Sequence, residues 1–127
     1  MQNNFKIGVF YKLQEIRAVF GGPLLASIAT KNNEVLYVKF KAEKLNPNLP
    51  SEVWIKNGPI QVKSALSWVN SGKEVPLFFK STRVGNPNWK YIGNSRASIL
   101  CQGTDAEIFT KSKEIGLVLR VDTIFKD

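Results

Sequence analysis

An α+β fold is expected, built as a small curled sheet or pseudobarrel of about six strands with two or three short helices. Short apolar runs rich in Val, Ile, Leu and Phe recur at close intervals, punctuated by Gly, Pro and Asn. Between them lie a few segments whose apolar residues follow helical spacing instead of alternation. Many short strands with few helices hide their edges best by curling toward a barrel, with helices plugging the ends.

Phe5 to Tyr11 alternates weakly and reads as a strand. Leu13, Ile16 and Phe20 then recur as on one helix face, and Gly21-Gly22-Pro23 stops that helix. Leu24 to Thr30 and Glu34 to Phe40 flank the polar turn Lys31-Asn32-Asn33, which makes them an antiparallel hairpin; Leu36, Val38 and Phe40 share one face. Lys41 to Pro50, with two prolines and two asparagines, is a surface loop leading to a short strand, Glu52 to Lys56. Pro59 suits a first helical position, where its missing N–H costs nothing. Val62, Ala65, Leu66 and Val69 follow at helical spacing, and Gly72 closes the run. Glu74 to Lys80 and Lys90 to Gln102 read as strands joined by a long loop, Ser81 to Asn88. Thr104-Asp105-Ala106-Glu107 has the pattern of a capping box, so a third helix is expected from there to Ile115. Gly116 releases a last strand, Leu117 to Phe125, in which Leu117, Leu119 and Val121 face one way and Val118, Arg120 and Asp122 the other.

The 127 residues, 43% hydrophobic and 22% charged, suit one domain over 1–127 with its own core. No run approaches the roughly 18 apolar residues of a membrane helix, and Met1-Gln2-Asn3-Asn4 lacks the pattern of a signal peptide. A soluble, cytoplasmic protein with no membrane partner is expected. Cys101 has no second cysteine to pair with and reads as a buried apolar side chain. Eighteen Lys and Arg against ten Asp and Glu leave a net charge of +8, enough to attract polyanions in a salt-dependent way.

Catalysis is not expected. Histidine is absent, which removes the commonest general base and the commonest transition-metal ligand together. With a single cysteine, no zinc site can be assembled, and neither a metal nor a cofactor is expected. The close pair Asp105 and Glu107 is better used by the helix start it occupies.

The tract from Val75 to Arg96 interleaves Phe78, Phe79, Trp89 and Tyr91 with Lys80, Arg83, Lys90 and Arg96. Rings stack on bases and cations neutralise phosphates, so this mixture fits nucleic acid. Trp89 and Tyr91 lie on one sheet face, either as core or as a stacking pair. Phe78 and Phe79 point to opposite faces, which leaves one of them as a contact unless both faces are covered. Trp54 either stacks on a base or packs, Trp68 covers a barrel end in preference to meeting a partner, and Arg17 and Lys56 join the cations that can reach phosphates.

Tyr11-Lys12-Leu13-Gln14-Glu15-Ile16-Arg17-Ala18-Val19-Phe20-Gly21-Gly22, followed by Ala26-Ser27-Ile28-Ala29-Thr30, resembles the opening of the PUA-superfamily domains found on modification-dependent restriction endonucleases. Those domains carry a similar helix and Phe-Gly-Gly turn. Ala65-Leu66 in a helix, then Gly72-Lys73-Glu74-Val75-Pro76-Leu77-Phe78-Phe79, then Trp89-Lys90-Tyr91-Ile92-Gly93, are similar to that family's later elements in the same order. The similarity spans roughly residues 11 to 93; the family's Tyr-x-Gly-x-Gly stretch is missing between Trp54 and Pro59. What the resemblance implies is a PUA-like pseudobarrel that binds DNA and accepts a modified base flipped into an aromatic pocket.

The nucleic-acid-binding residues expected on these grounds are Arg17, Phe20, Gly21, Gly22, Trp54, Lys56, Phe79, Lys80, Arg83, Trp89, Tyr91 and Arg96. They require a concave site of roughly 300 Å³ or more among the rings, with cations at its rim. The partner is nucleic acid, DNA before RNA, with a separate nuclease or other effector protein. A protein-interaction adaptor or inhibitor, or an RNA-binding PUA-like module, is the alternative.

Overall fold

The computed structural model describes residues 5–22, 26–41, 46–80 and 88–124. Strand β1 is only Phe10–Tyr11, shorter than expected, because a turn with Gly8 at φ +86 interrupts the segment and Phe5 drops into the interior instead. Helix α1 (Leu13–Phe20) follows. The Glu15 carboxylate accepts the Lys12 N–H at 3.0 Å, satisfying one of the donors a helix start leaves free.

Strands β2 (Ile28–Lys31) and β3 (Glu34–Lys41) form the expected hairpin. Asn32 and Asn33, at φ 54 and 64, make the left-handed two-residue turn that asparagine tolerates. Strand β4 (Glu52–Lys56) and helix α2 (Pro59–Ser71) start where the sequence places them, and Gly72 ends α2 in the left-handed conformation. Strands β5 (Val75–Lys80) and β6 (Trp89–Gln102) pair antiparallel, as expected for this tract.

Helix α3 (Thr104–Thr110) corrects two expectations. Its N-cap is Gly103, and no side chain caps it, so the Thr104–Glu107 box does not form. Lys111, at φ 57, stops the helix at Thr110, and Ile115 instead opens β7 (Ile115–Ile124), where it is buried with Ala106 and Val118.

The strand order is β2-β3-β5-β6-β7-β4, with β1 added on β6. Every pair is antiparallel except β3–β5. Helix α2 touches both edge strands, β2 and β4, so the sheet curls around it as a half-barrel. Inside the curl, Ala65 and Trp68 of α2 meet Val38, Phe40, Leu77, Leu117 and Leu119. Outside it, α1 and Phe5 cover Tyr37, Phe78, Trp89 and Tyr91, while α3 covers Ile115 and Val118. The alternation read in the last strand is present: Leu117, Leu119 and Val121 are buried inside, and Arg120 and Asp122 are exposed. Both faces of the sheet are covered, which is why Phe78 and the half-buried Phe79 each find packing on opposite sides. No helix among the described residues is long and apolar enough to cross a membrane.

Candidate nucleic-acid interface

Because the half-barrel does not close, its two edges leave a seam. A cleft of about 420 Å³ opens there between the beginning of β2, the end of β3, strand β4 and the first turns of α2. Leu49, Val53, Ile55 and Ile60 give it an apolar lining; the buried Phe40 ring, packed on Trp68, and the half-buried Trp54, whose side chain also packs against the Ala106, Ile115 and Val118 cluster, border it, Lys41 and Lys56 add charge, and Gln61 and Ser64 add hydrogen-bonding groups. Trp54 is held on three sides. Its N–H donates to Asn46 Oδ1 at 2.9 Å, its carbonyl accepts from Asn46 Nδ2 at 3.0 Å, and its indole N–H donates to Glu52 Oε1 at 2.7 Å.

A second group of cations and rings gathers at the far ends of β3 and β5. Lys39 and Lys80 both direct Nζ at the Trp89 ring, at 5.1 and 4.6 Å from its centroid. Lys90 reaches over the exposed Phe10 ring on the neighbouring strand, at 5.9 Å. Lys39 is only 6% exposed. Burial, then the charge on Lys80, lowers its pKa from the ordinary lysine value. A ring face returns about 2 kcal/mol or somewhat more to a desolvated cation, and here two ammonium groups share one ring.

The expected site residues divide. Trp54 and Lys56 line the seam cleft, and Lys80 and Trp89 form the second group. The other rings do not converge on one concavity. Phe20 packs between Phe5 and Tyr37, Tyr91 is 1% exposed with its hydroxyl on Asn94 Oδ1 at 2.8 Å, and Trp89 is itself 8% exposed. These rings fill the layer under α1, where the expectation had left space for a base. Phe79 packs against the core inside the curl. Gly21 and Gly22, at φ +73 and +83, form a turn whose Gly22 carbonyl accepts from the Arg17 guanidinium at 3.2 and 3.3 Å. Arg96 pairs with Glu74 at 3.5 Å. Arg83 lies outside the described residues.

Sequence reasoning missed Lys39, Lys41 and Phe40. The signal was present for Lys39: it alternates with Val38 and Phe40 and so shares the face of Tyr37, the face α1 covers. Among the described residues, no three Cys, Asp or Glu side chains gather as they would around a metal. Compared with known protein families, curated proteins and solved structures, the chain matches none.

Proposed function

We propose that this chain is a non-catalytic DNA-binding domain that seats an unpaired or flipped nucleobase in the seam of its half-barrel. The observation that carries this reading is the cleft of about 420 Å³ in which Phe40 and Trp54 stand beside Lys41 and Lys56, on a protein of net charge +8. A flipped base needs a ring to stack on, polar groups for its edge and cations for the flanking phosphates. Trp54 supplies the first, Gln61 and Ser64 the second, and the two lysines the third. Asn46 already spends one N–H and one lone pair of its carboxamide on Trp54. The resemblance to modification-reading domains extends the proposal to a modified base.

Filter binding at low salt tests it, using a plain duplex, one with a central mismatch and one carrying a modified cytosine. Log affinity should fall linearly with log salt, the mismatched duplex should bind more tightly than the plain one because its base leaves the stack at lower cost, and the modified duplex should bind more tightly only where the cleft contacts the added group. No retention of any duplex ends the proposal.

One observation favours a second reading, a protein-interaction module. On α3, Ile108 and Phe109 are 69% and 49% exposed, an apolar pair that suits an interface better than open water. Recovery of a stoichiometric protein partner after nuclease treatment, with loss of that partner in Phe109→Ser, would support it over DNA binding.

A further inference from the structure

The pair Lys39 and Lys80, on β3 and β5, shares no residue with the seam cleft, though Lys41 of that cleft lies opposite Lys80. Lys39 lies opposite Phe78 in the parallel pairing of β3 and β5, and Lys41 lies opposite Lys80. Lys39 and Lys80 are therefore diagonal neighbours on one face of the sheet, and both aim at the ring of Trp89. More than nine-tenths of Lys39 is buried. The ion pairs among the described residues are Lys73–Glu34, Arg96–Glu74 and Arg120–Asp122, and none of them includes Lys39 or Lys80. Neither ammonium donates a hydrogen bond to any described residue.

Two ammonium groups share one ring with no ion-pair partner among the described residues, and the side chain that carries one of them is almost wholly buried. Two like charges held against one ring call for a counter-charge, and an indole face is neutral. Proximity of the two lysines makes the need greater, because each charge raises the cost of the other. A compact oxyanion answers both at once, since its several oxygens can accept from two ammonium groups together. Trp89 would act as the wall that fixes the two side chains in place.

We propose that Lys39 and Lys80, set against the Trp89 ring, bind the oxygens of a phosphate group, either a free phosphate or the phosphodiester of a nucleic acid. The proposal does not depend on the seam reading, because the two sites share no residue.

Thermal unfolding of the full chain in chloride, acetate and orthophosphate at equal ionic strength and pH tests it. Orthophosphate should raise the Tm of the wild type in proportion to the logarithm of its concentration above Kd, and acetate should not. Lys39→Met keeps the length of the side chain and removes the charge. It should start with a higher Tm in chloride and bind phosphate about tenfold or more weakly, the loss expected for one charge-assisted contact. Lys80→Met, at a half-buried position, should lose the same response, so it decides the matter even if Lys39→Met fails to fold. Lys63→Met, at an exposed position on α2, should respond as wild type does.

An oligothymidylate arm separates the two sources of phosphate. Protection by orthophosphate alone identifies a free ion as the ligand. Protection of the wild type but not of Lys80→Met by the oligothymidylate identifies the backbone. Equal Tm gains in wild type and both variants, an equal effect of acetate, or no gain from either phosphate source overturns the proposal. Trp54→Ala should leave the phosphate response intact, so loss of base binding and loss of phosphate binding are read independently.

Discussion

Asn46 gives Trp54 the hydrogen bonds that a neighbouring strand would otherwise give. Its carboxamide accepts from the Trp54 N–H at 2.9 Å and donates to the Trp54 carbonyl at 3.0 Å, a side-chain copy of a strand pairing on the open edge of β4. The residue is 7% exposed, so the pair is shielded from competing water. An unguarded edge strand is a template for pairing with another chain. Asn46 closes the middle of this one with a group too short to extend the sheet.

Asn46→Ala should therefore destabilise the protein by about 1–3 kcal/mol, the cost of leaving partly buried polar groups without partners. Asn46→Asp should recover only part of this, since its carboxylate accepts from the N–H but faces the carbonyl with like charge. Urea unfolding reads the loss. Size-exclusion chromatography should also show concentration-dependent association of Asn46→Ala; a variant that stays monomeric and as stable as wild type would refute the role given to the pair.

At Gly22 the main chain has φ +83, and an added Cβ would stand 3.1 Å from Leu36 Cδ1. Gly22→Ala should lose about 1–2 kcal/mol from the left-handed backbone alone, with more from moving Leu36. Gly72 also has a positive φ but opens on space, so Gly72→Ala should cost only about 1 kcal/mol. Equal effects in denaturant titrations would show that Leu36 gives way freely.

Lys39 makes stability rise with pH. Its folded pKa lies below the unfolded value of 10.5, so at neutral pH the folded state carries the full cost of the charge. As pH climbs through the lowered pKa toward 10.5, the folded protein sheds the proton before the unfolded chain does, and that cost is relieved. Tyr37 acts the other way: burial raises its pKa above 10.0 despite nearby Arg17, so above that pH its ionisation favours unfolding. Subtracting Lys39→Met from wild type cancels the tyrosine contribution. The stability gap between the two should narrow with rising pH, and a gap constant up to pH 10.5 would count against the buried charge.

Much of this fold is written locally, and the part that is not lies between layers. Pro59 and Gly72 bracket α2, Asn32 and Asn33 turn the first hairpin, and the alternation from Leu117 to Asp122 marks two faces, because each depends only on residues near in sequence. The fate of Trp89 and Tyr91 depends on which helix lies over them. Alternation put both rings on one face, but whether that face meets solvent was decided by α1 and Phe5, residues far away in the chain. Thr104 misled for the opposite reason: its local pattern suits a cap, yet Gly103 made the turn one residue earlier. The seam could not be foreseen at all, since it exists because β2 and β4 are the edge strands and do not pair with each other.

Cys101 should be a slow thiol. Burial first, then the carboxylates of Asp105 and Glu52, raise its pKa, so less thiolate is present at pH 8 than in free cysteine. Iodoacetamide should modify it more slowly than it modifies glutathione, and Asp105→Asn should speed the reaction. Faster alkylation of the wild type than of glutathione would contradict this.

For the seam, Lys41→Ala and Lys56→Ala should each reduce the slope of log affinity against log salt by about one if each meets a phosphate. Trp54→Ala should lower affinity for an unpaired base by about 1–3 kcal/mol, while Trp54→Phe keeps a ring and most of that contribution. Arg96→Ala, which removes a side chain already paired with Glu74, should change the salt slope less than either lysine variant.

The parallel pairing of β3 with β5 has a consequence for synthesis. After β3 the chain runs to the opposite border of the sheet to lay down β4, then returns through α2 to place β5 beside β3. β4 must then wait for β7, its only sheet neighbour among the described residues, to leave the ribosome. Until that happens the nascent polypeptide exposes Val53 and Ile55 with nothing to cover them on one side, so assembly of this protein should be late, all at once and sensitive to chaperone supply.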